Sequence, residues 1–138
     1  MPAYTTRAVV KTYLGIPSGT TSEDDPIDAA IDAAEAEIDA HTGRTFVVPG
    51  AATAKVYQPI NDRVVLVDDI AQTTSLVIKT DTADDGSYDE TLTITSEFIL
   101  DGNEAPYRVV RRVDGSSFPR PLSDRPTVQV TAYFGYGM

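Results

Sequence analysis

Hydrophobic and polar positions divide the chain into a helical first third and a β-rich remainder. In residues 25–46 the apolar positions recur at intervals of four, three and four, at Ile27, Ile31, Ala34 and Ile38. These intervals place them on one stripe of an α-helix. Ala, Asp and Glu fill most of the other positions, so the opposite face is acidic. The pattern predicts one long amphipathic helix with a narrow apolar stripe.

The two ends of this helix carry residues that helix termini favour. Acidic residues fill positions 23–25, where carboxylates interact favourably with the positive end of the helix dipole. Pro26 suits the first turn, since its missing N–H has no intrahelical partner there. Gly43 can adopt the left-handed conformation that closes a helix, and Arg44 brings a cation to the negative end.

A shorter helix is predicted over residues 4–14. Its apolar residues fall on one side at spacings of three and four, and they are Val9, Val10, Tyr13 and Leu14. Gly15 and Pro17 end it, and the Gly-, Ser- and Thr-rich segment 18–22 is a loop. We therefore expect a helical hairpin in which each helix has an apolar stripe that another surface must cover.

Beyond Phe46 the pattern changes to short apolar runs with a period of two, which is typical of strands. We expect a turn at 47–50, and strands at 54–58, 64–67, 76–80, 91–95, 98–100, 107–113 and 127–134. The predicted fold class is α+β: a short helix and a long acidic helix, followed by an antiparallel region of about five to seven strands. A single domain is expected over 1–138, with a helical part at 1–46 and a β-rich part at 47–138.

Composition narrows the class of protein. The 138 residues include no cysteine, which excludes disulfides and thiolate metal sites, and no apolar run approaches the roughly 18 residues that span a bilayer. The net charge of −10 is uneven: −5 in residues 1–50, −8 in 51–104 and +3 in 105–138. The acidic body argues against gripping nucleic acid. The basic end either meets the acidic face of a neighbouring copy or is an ordinary solvated surface.

The candidate reactive groups do not assemble into a catalytic motif. His41, the single histidine, has no nucleophile or carboxylate indicated beside it in sequence. Asp68 and Asp69 are adjacent, so in a strand they point to opposite faces, and a turn at a strand end is the preferred interpretation. The acidic segment 81–90 matches a calcium-binding loop poorly, because Ala83 stands where an oxygen ligand is needed, and it is predicted to be a solvated hairpin tip.

Several motifs in a fixed order are more informative. They are VVKTYLGI, the helix end GRTF with Gly43, Arg44 and Phe46, then AKVYQP, VVLVDDIA, DDGSYDETL, APYRVVRR and VQVTAYFGYG. Over essentially its whole length the chain resembles the head–tail connector (adaptor) proteins of long-tailed phages, especially those infecting actinobacteria. Members of that family commonly continue past the final F-G element into further helices, whereas this sequence stops at Met138. Without such helices, the β region or a neighbouring copy is expected to cover the long helix's stripe, or the stripe stays partly exposed.

The resemblance implies a structural virion protein and not an enzyme, with no cofactor, metal or membrane. It implies a homo-oligomeric ring, typically of twelve copies, beneath the portal protein at the head–tail junction, assembled in the host cytoplasm. The ring would extend the channel for viral double-stranded DNA, which passes without specific binding, and would dock a stopper or tail-completion protein. A head-to-tail contact repeated between copies closes such a ring.

Residues for these surfaces follow from charge and spacing. An acidic row along the long helix is a candidate channel lining, with an outer solvated face as the alternative: Asp28, Asp32, Glu35 and Asp39. Basic and aromatic residues near the end are candidates for the subunit or portal interface, and they are Arg108, Arg111, Arg112, Tyr133, Phe134 and Tyr136.

Three other functions stay open at this stage. The chain is a different phage neck protein, such as a stopper or tail-completion protein, if it binds tail components and not portal. A carboxylate hydrolase would need two acidic side chains converging in a pocket. A single-strand nucleic-acid binder would stack bases on the aromatic end at 133–136. The sequence gives neither the copy number nor the surface that meets each partner.

Overall fold

The computed structural model describes residues 4–47 and 49–136. Two helices come first, α1 (Arg7–Leu14) and α2 (Asp24–Thr42). The Thr6 side chain caps α1 by accepting a hydrogen bond from the Val9 N–H, and Gly43 ends α2 at φ 63°. The predicted helical hairpin and the glycine that closes the long helix are confirmed. No helix in the described ranges is long and apolar enough to cross a membrane.

Six strands follow, all paired antiparallel in one sheet of order β1-β6-β2-β5-β4, with β3 paired to β2. Their bounds are β1 Thr53–Tyr57, β2 Val64–Thr80, β3 Glu90–Leu92, β4 Phe98–Leu100, β5 Tyr107–Arg112 and β6 Val128–Phe134. The α+β class is therefore confirmed. The predicted turn at 47–50 includes Val48, and the last motif includes Gly137; both lie outside the described residues.

Strand β2 differs most from the prediction. It joins the two predicted strands at 64–67 and 76–80 into one element of 17 residues. Its first half pairs with β5 and its second half with β6 and β3, with register shifts in between. The turn predicted at Asp68 and Asp69 is wrong, because both residues lie inside β2, between residues that pair with β5 and β6. Their predicted opposite orientation is confirmed, since Asp68 is exposed and Asp69 is buried.

A second difference concerns the segment 91–95. Strand β3 ends at Leu92, and Thr95 has a left-handed φ of 72°, outside the extended region of the backbone. The segment instead forms a tight turn, in which the Thr93 carbonyl accepts a hydrogen bond from the Glu97 N–H at 3.0 Å.

The hydrophobic core belongs to the sheet and its loops. Val65, Ile70, Ile78 and Val110 are fully buried in it, as is Phe118. Phe118 comes from the loop 114–126 and holds its place through its N–H, which donates to the Asp62 carbonyl at 2.7 Å. No residue of either helix belongs to this core in the described part of the chain. The helical hairpin is therefore held beside the sheet by other contacts.

Candidate functional site

The helical hairpin meets the sheet at a junction built by motifs that are distant in sequence. Arg44 of the helix-end motif lies with its Nε 3.2 Å from Asp69 Oδ2, in the middle of β2. Arg108 of β5 places its Nε 3.2 Å from the other oxygen, Oδ1. The Asp69 side chain is buried while both cations remain partly exposed. One carboxylate therefore joins the end of α2 to the central strands.

Aromatic rings form a second part of this junction. Phe46 packs edge-on against Tyr4 at 6.0 Å between ring centroids. It packs against Tyr136 in a tilted arrangement at 5.7 Å. The Phe46 N–H donates to the Tyr4 hydroxyl at 2.9 Å. The Arg44 guanidinium lies 5.7 Å from the Tyr136 ring centroid, a cation–π arrangement. The segment before α1, the end of α2 and the end of β6 are thus fastened together.

Gly135 makes the close approach of these segments possible. Its N–H donates to the Asp69 carbonyl at 2.8 Å, and the next N–H, of Tyr136, donates to the Thr45 carbonyl at 2.7 Å. A Cβ at position 135 would lie 2.7 Å from the Val47 carbonyl oxygen, well inside van der Waals contact. Glycine is therefore required here by the backbone of the linker that crosses it.

A small cavity of about 160 Å³ opens at the junction, between the end of α2 and strands β1, β2 and β5. Lys55 Nζ donates to Asp68 Oδ2 at 2.6 Å and lies 4.7 Å from the Phe134 ring centroid. Burial raises the pKa of the neighbouring Tyr57 to about 12. The charged groups lining the cavity are thus paired with one another. Among the described residues no cluster of His, Asp and Glu is arranged to hold a metal ion.

The predicted channel-lining row is largely engaged inside the hairpin. Glu35 is buried and accepts the Tyr4 N–H at 2.5 Å, and Asp39 accepts the Tyr4 hydroxyl. Asp28 accepts two hydrogen bonds from Arg7, which lower the pKa of its carboxyl. Asp32 is exposed and makes no ion pair with any residue in the described ranges. Three of the four carboxylates therefore hold α1 and its preceding segment, and Asp32 alone is both exposed and without an ion pair among the described residues.

The predicted interface residues also divide into two groups. Arg112 and Phe134 are buried, so their side chains are removed from the predicted contact surface: Arg112 donates to Asp114 at 2.7 and 3.1 Å, and Phe134 belongs to the core. Arg108 and Arg111 are exposed, although each is ion-paired within the chain.

Two aromatic residues complete that predicted set. Tyr133 and Tyr136 are half-buried. Tyr133 lies in β6 opposite Gln72, and Tyr136 packs against Phe46 in the junction. The aromatic end is therefore tied into the monomer and does not present a row of free rings.

The acidic loop after β2 is organised by its own backbone. Asp81 is buried and accepts hydrogen bonds from the N–H groups of Asp85, at 3.3 Å, and Gly86, at 2.7 Å. Asp84 accepts from the Ser123 N–H at 2.7 Å and from its hydroxyl at 2.8 Å. Internal donors thus already occupy oxygens that a cation would need. His41 is exposed in the last turn of α2.

An apolar groove between the helices was not predicted as a site. The hairpin groove, as we call it, has a volume of about 440 Å³, and its apolar walls come from both helices: Val10, Leu14, Ile27, Ile31, Ala34 and Ile38. The sequence contained a sign of this groove: α1 is much shorter than α2, so its apolar residues cannot cover the whole apolar stripe of α2. The alternative that the stripe stays partly exposed is the one that the structure shows within the described residues.

Comparisons of the chain with protein-family models, with curated proteins and with solved structures give no match. The junction and the hairpin groove are therefore interpreted from their own geometry and from the motifs.

Proposed function

We propose that the chain is a head-to-tail adaptor of a long-tailed phage, a structural virion protein that forms a ring beneath the portal, of twelve copies as the resemblance implies. In this role it extends the DNA channel and docks the stopper or tail. The observation that carries the proposal is the junction: the helix-end motif, the V-D-D-I motif and the closing F-G-Y motif, on which the resemblance rests, contact one another there.

A fixed junction suits a protein that works by assembly. Copies in a ring must all present their surfaces at the same angle, because a heterologous contact closes only at one rotation. Asp69, Gly135 and the ring of Phe46 fasten the hairpin to the sheet through an ion pair, backbone hydrogen bonds and aromatic packing. These contacts fix the hairpin without making it part of the sheet's hydrophobic core.

The charge of the chain supports passage of DNA without retention. The net charge of −10 repels a phosphate backbone, and most of the exposed arginines already have carboxylate partners: Arg108 with Asp69, Arg111 with Asp101, and Arg120 with Asp62. In this proposal Asp32 is the residue of the acidic row that faces the channel.

Native mass spectrometry tests the proposal, with purified portal from the same phage and with the chain alone. We expect a portal-dependent complex with about one copy of the chain per portal subunit. An unrelated acidic protein of similar mass serves as the control and should not associate. Absence of any portal complex at all salt concentrations rejects the adaptor role and directs the search to tail components.

Thiol labelling tests the position of Asp32 in such a complex. The chain has no cysteine, so Asp32→Cys introduces a unique reactive group, and Ser87→Cys in the exposed acidic loop provides a matched control. If Asp32 lines the channel, double-stranded DNA in the channel slows labelling at position 32 and leaves position 87 unchanged. Equal labelling with and without DNA assigns Asp32 to the outer face.

A further inference from the structure

The hairpin groove is an apolar surface that the described residues leave uncovered. At its two ends Leu14 is 58% exposed and Ile38 is 43% exposed, while Ile27 at its floor is buried. Neither the sheet nor the loops reach it, since the hydrophobic core contains no helix residue among those described. Exposed apolar surface in a continuous groove marks an interaction site more often than scattered exposed residues do.

The shape of the groove fits an α-helix. From Ile27 to Ile38 the stripe rises roughly 16 Å, the length of three helical turns. Ala30 and Ala34 are small and exposed, so a third backbone can approach α2 closely. Glu35, the carboxylate in the wall, already accepts the Tyr4 N–H. A groove whose walls are mostly apolar suits a helix, which satisfies its own backbone, better than an extended segment.

The net negative charge of the hairpin indicates that the partner helix carries basic residues. Residues 7–42 contain two basic and eight acidic residues, a balance of −6. Both basic residues are neutralised inside the hairpin, Arg7 by Asp24 and Asp28, and Lys11 by Asp24. Glu37 borders a hollow that continues the groove past Ala34 and Ile38, and it is exposed and unpaired within the described residues.

These charges argue against the hairpin of a second copy as the occupant, and the rest of the described chain consists of strands and loops and offers no helix. Two hairpins packed face to face would bring two surfaces of −6 together, and like charges oppose such a contact. A helix with Lys or Arg beside its apolar stripe gains attraction from the same field.

We propose that the hairpin groove binds an amphipathic α-helix of a partner protein that carries Lys or Arg residues flanking its apolar stripe. The apolar stripe of that helix packs between Leu14 and Ile38, and its cations lie beside Glu37. This inference does not rest on the adaptor role, because it requires the groove and the charge of the hairpin alone.

Fluorescence anisotropy tests it with a labelled synthetic helix of roughly 18 residues, or five turns, with Leu at i, i+3, i+4 and i+7 and Lys on both flanks. A second peptide has the same Leu positions and Glu in place of Lys. We expect the Lys peptide to bind at least about tenfold more tightly, with an affinity that falls as salt rises.

A matched pair of protein variants separates the groove from the rest of the acidic surface. Ala34→Lys fills the floor of the groove, and Ala36→Lys adds the same charge half a turn away on the opposite side of α2; both alanines are exposed. Ala34→Lys should weaken binding of the Lys peptide by about tenfold or more, and Ala36→Lys by about twofold or less.

Three results overturn the proposal. The first is equal affinity for the Lys and Glu peptides, or no binding of either. The second is an equal effect of the two variants, which would show general attraction to the acidic surface. The third is a dimer of the wild-type chain in sedimentation velocity that Ala34→Lys abolishes, which would make a second copy the occupant. The peptide comparison uses the wild-type protein, so it stands even if Ala34→Lys fails to fold.

Discussion

Arg44 and Asp69 form an ion pair, 3.2 Å from Nε to Oδ2, that joins the residue after the cap of α2 to the middle of the longest strand. The carboxylate is buried, and Arg108 reaches it from the neighbouring strand. The pair connects the hairpin, which has no share in the sheet's hydrophobic core, to the most central part of the sheet.

Removing the Asp69 carboxylate should therefore loosen the junction. We expect Asp69→Ala to lower the free energy of unfolding by about 1–3 kcal/mol, since it leaves two cations without their partner. Asp68→Ala is the matched control: Asp68 is exposed, and losing its pair with Lys55 should cost about 0–1 kcal/mol. Urea denaturation measures both, and limited proteolysis between α2 and β1 should be faster in the Asp69 variant alone. Equal stability of the two variants would show that the junction does not depend on this pair.

The crossing of the linker over Gly135 gives a second prediction. Gly135→Ala places a methyl group 2.7 Å from the Val47 carbonyl oxygen, so the linker must move, at a cost of about 1–3 kcal/mol. Gly50→Ala, on the same linker, meets no atom within 4 Å and should change stability by less than about 1 kcal/mol. Thermal unfolding of both variants checks this, and an unchanged midpoint for Gly135→Ala would contradict it.

The loop 114–126 contributes to the core through one residue. Phe118 is fully buried, with the Arg112 guanidinium 5.7 Å from its ring centroid. Phe118→Ala should lower the free energy of unfolding by about 3–5 kcal/mol through the cavity it leaves. Leu122 lies in the same loop at 95% exposure, and Leu122→Ala should have almost no effect. Similar losses for both variants in urea denaturation would show that the loop does not anchor the core.

Stability should fall in acid through Asp114. Hydrogen bonds from Arg112 hold the pKa of Asp114 well below its usual range. The folded state then binds fewer protons than the unfolded chain, so the stabilisation is present above the ordinary aspartate pKa of about 4 and is lost as pH falls through and below it. Asp114→Asn should therefore lower the urea midpoint at neutral pH and differ less from wild type as pH decreases.

Asp124→Asn serves as the control for this pH dependence. Asp124 is an exposed carboxylate of the same loop and forms no ion pair with the residues that the structure describes. The urea midpoint of Asp124→Asn should differ little from that of wild type, and by a similar amount at neutral and acidic pH. If the urea midpoints of wild type and Asp114→Asn differ by the same amount at neutral and acidic pH, protonation of Asp114 does not account for the loss of stability in acid.

Prediction from the sequence worked where the signal was local. The spacing of Ile27, Ile31 and Ile38 and the glycine at position 43 determined α2, because periodicity and capping act within a few turns. Alternation identified the region of β6 in the same way. For β2, the polar residues in the middle led to a prediction of two separate strands. The pairing that joins them into one strand comes from residues at 107 and 133–134, far away in sequence.

The functional surfaces depended on contacts that no local pattern records. The acidic row of α2 was visible in the sequence, yet only the packed hairpin turned Glu35 and Asp39 toward Tyr4 and left Asp32 exposed. Arg112 was predicted to lie on the surface, whereas in the fold it is buried against Asp114 and Phe118.

The sequence by itself determined the α+β class, the bounds and charge of the long helix and the order of the motifs, because these follow from local periodicity, capping and composition. Tertiary structure alone decided that distant motifs meet at one junction and that the groove between the helices stays open. Both outcomes depend on long-range contacts: the Asp69 carboxylate and Gly135 backbone bring the segments together, and the sheet completes its core without the helices.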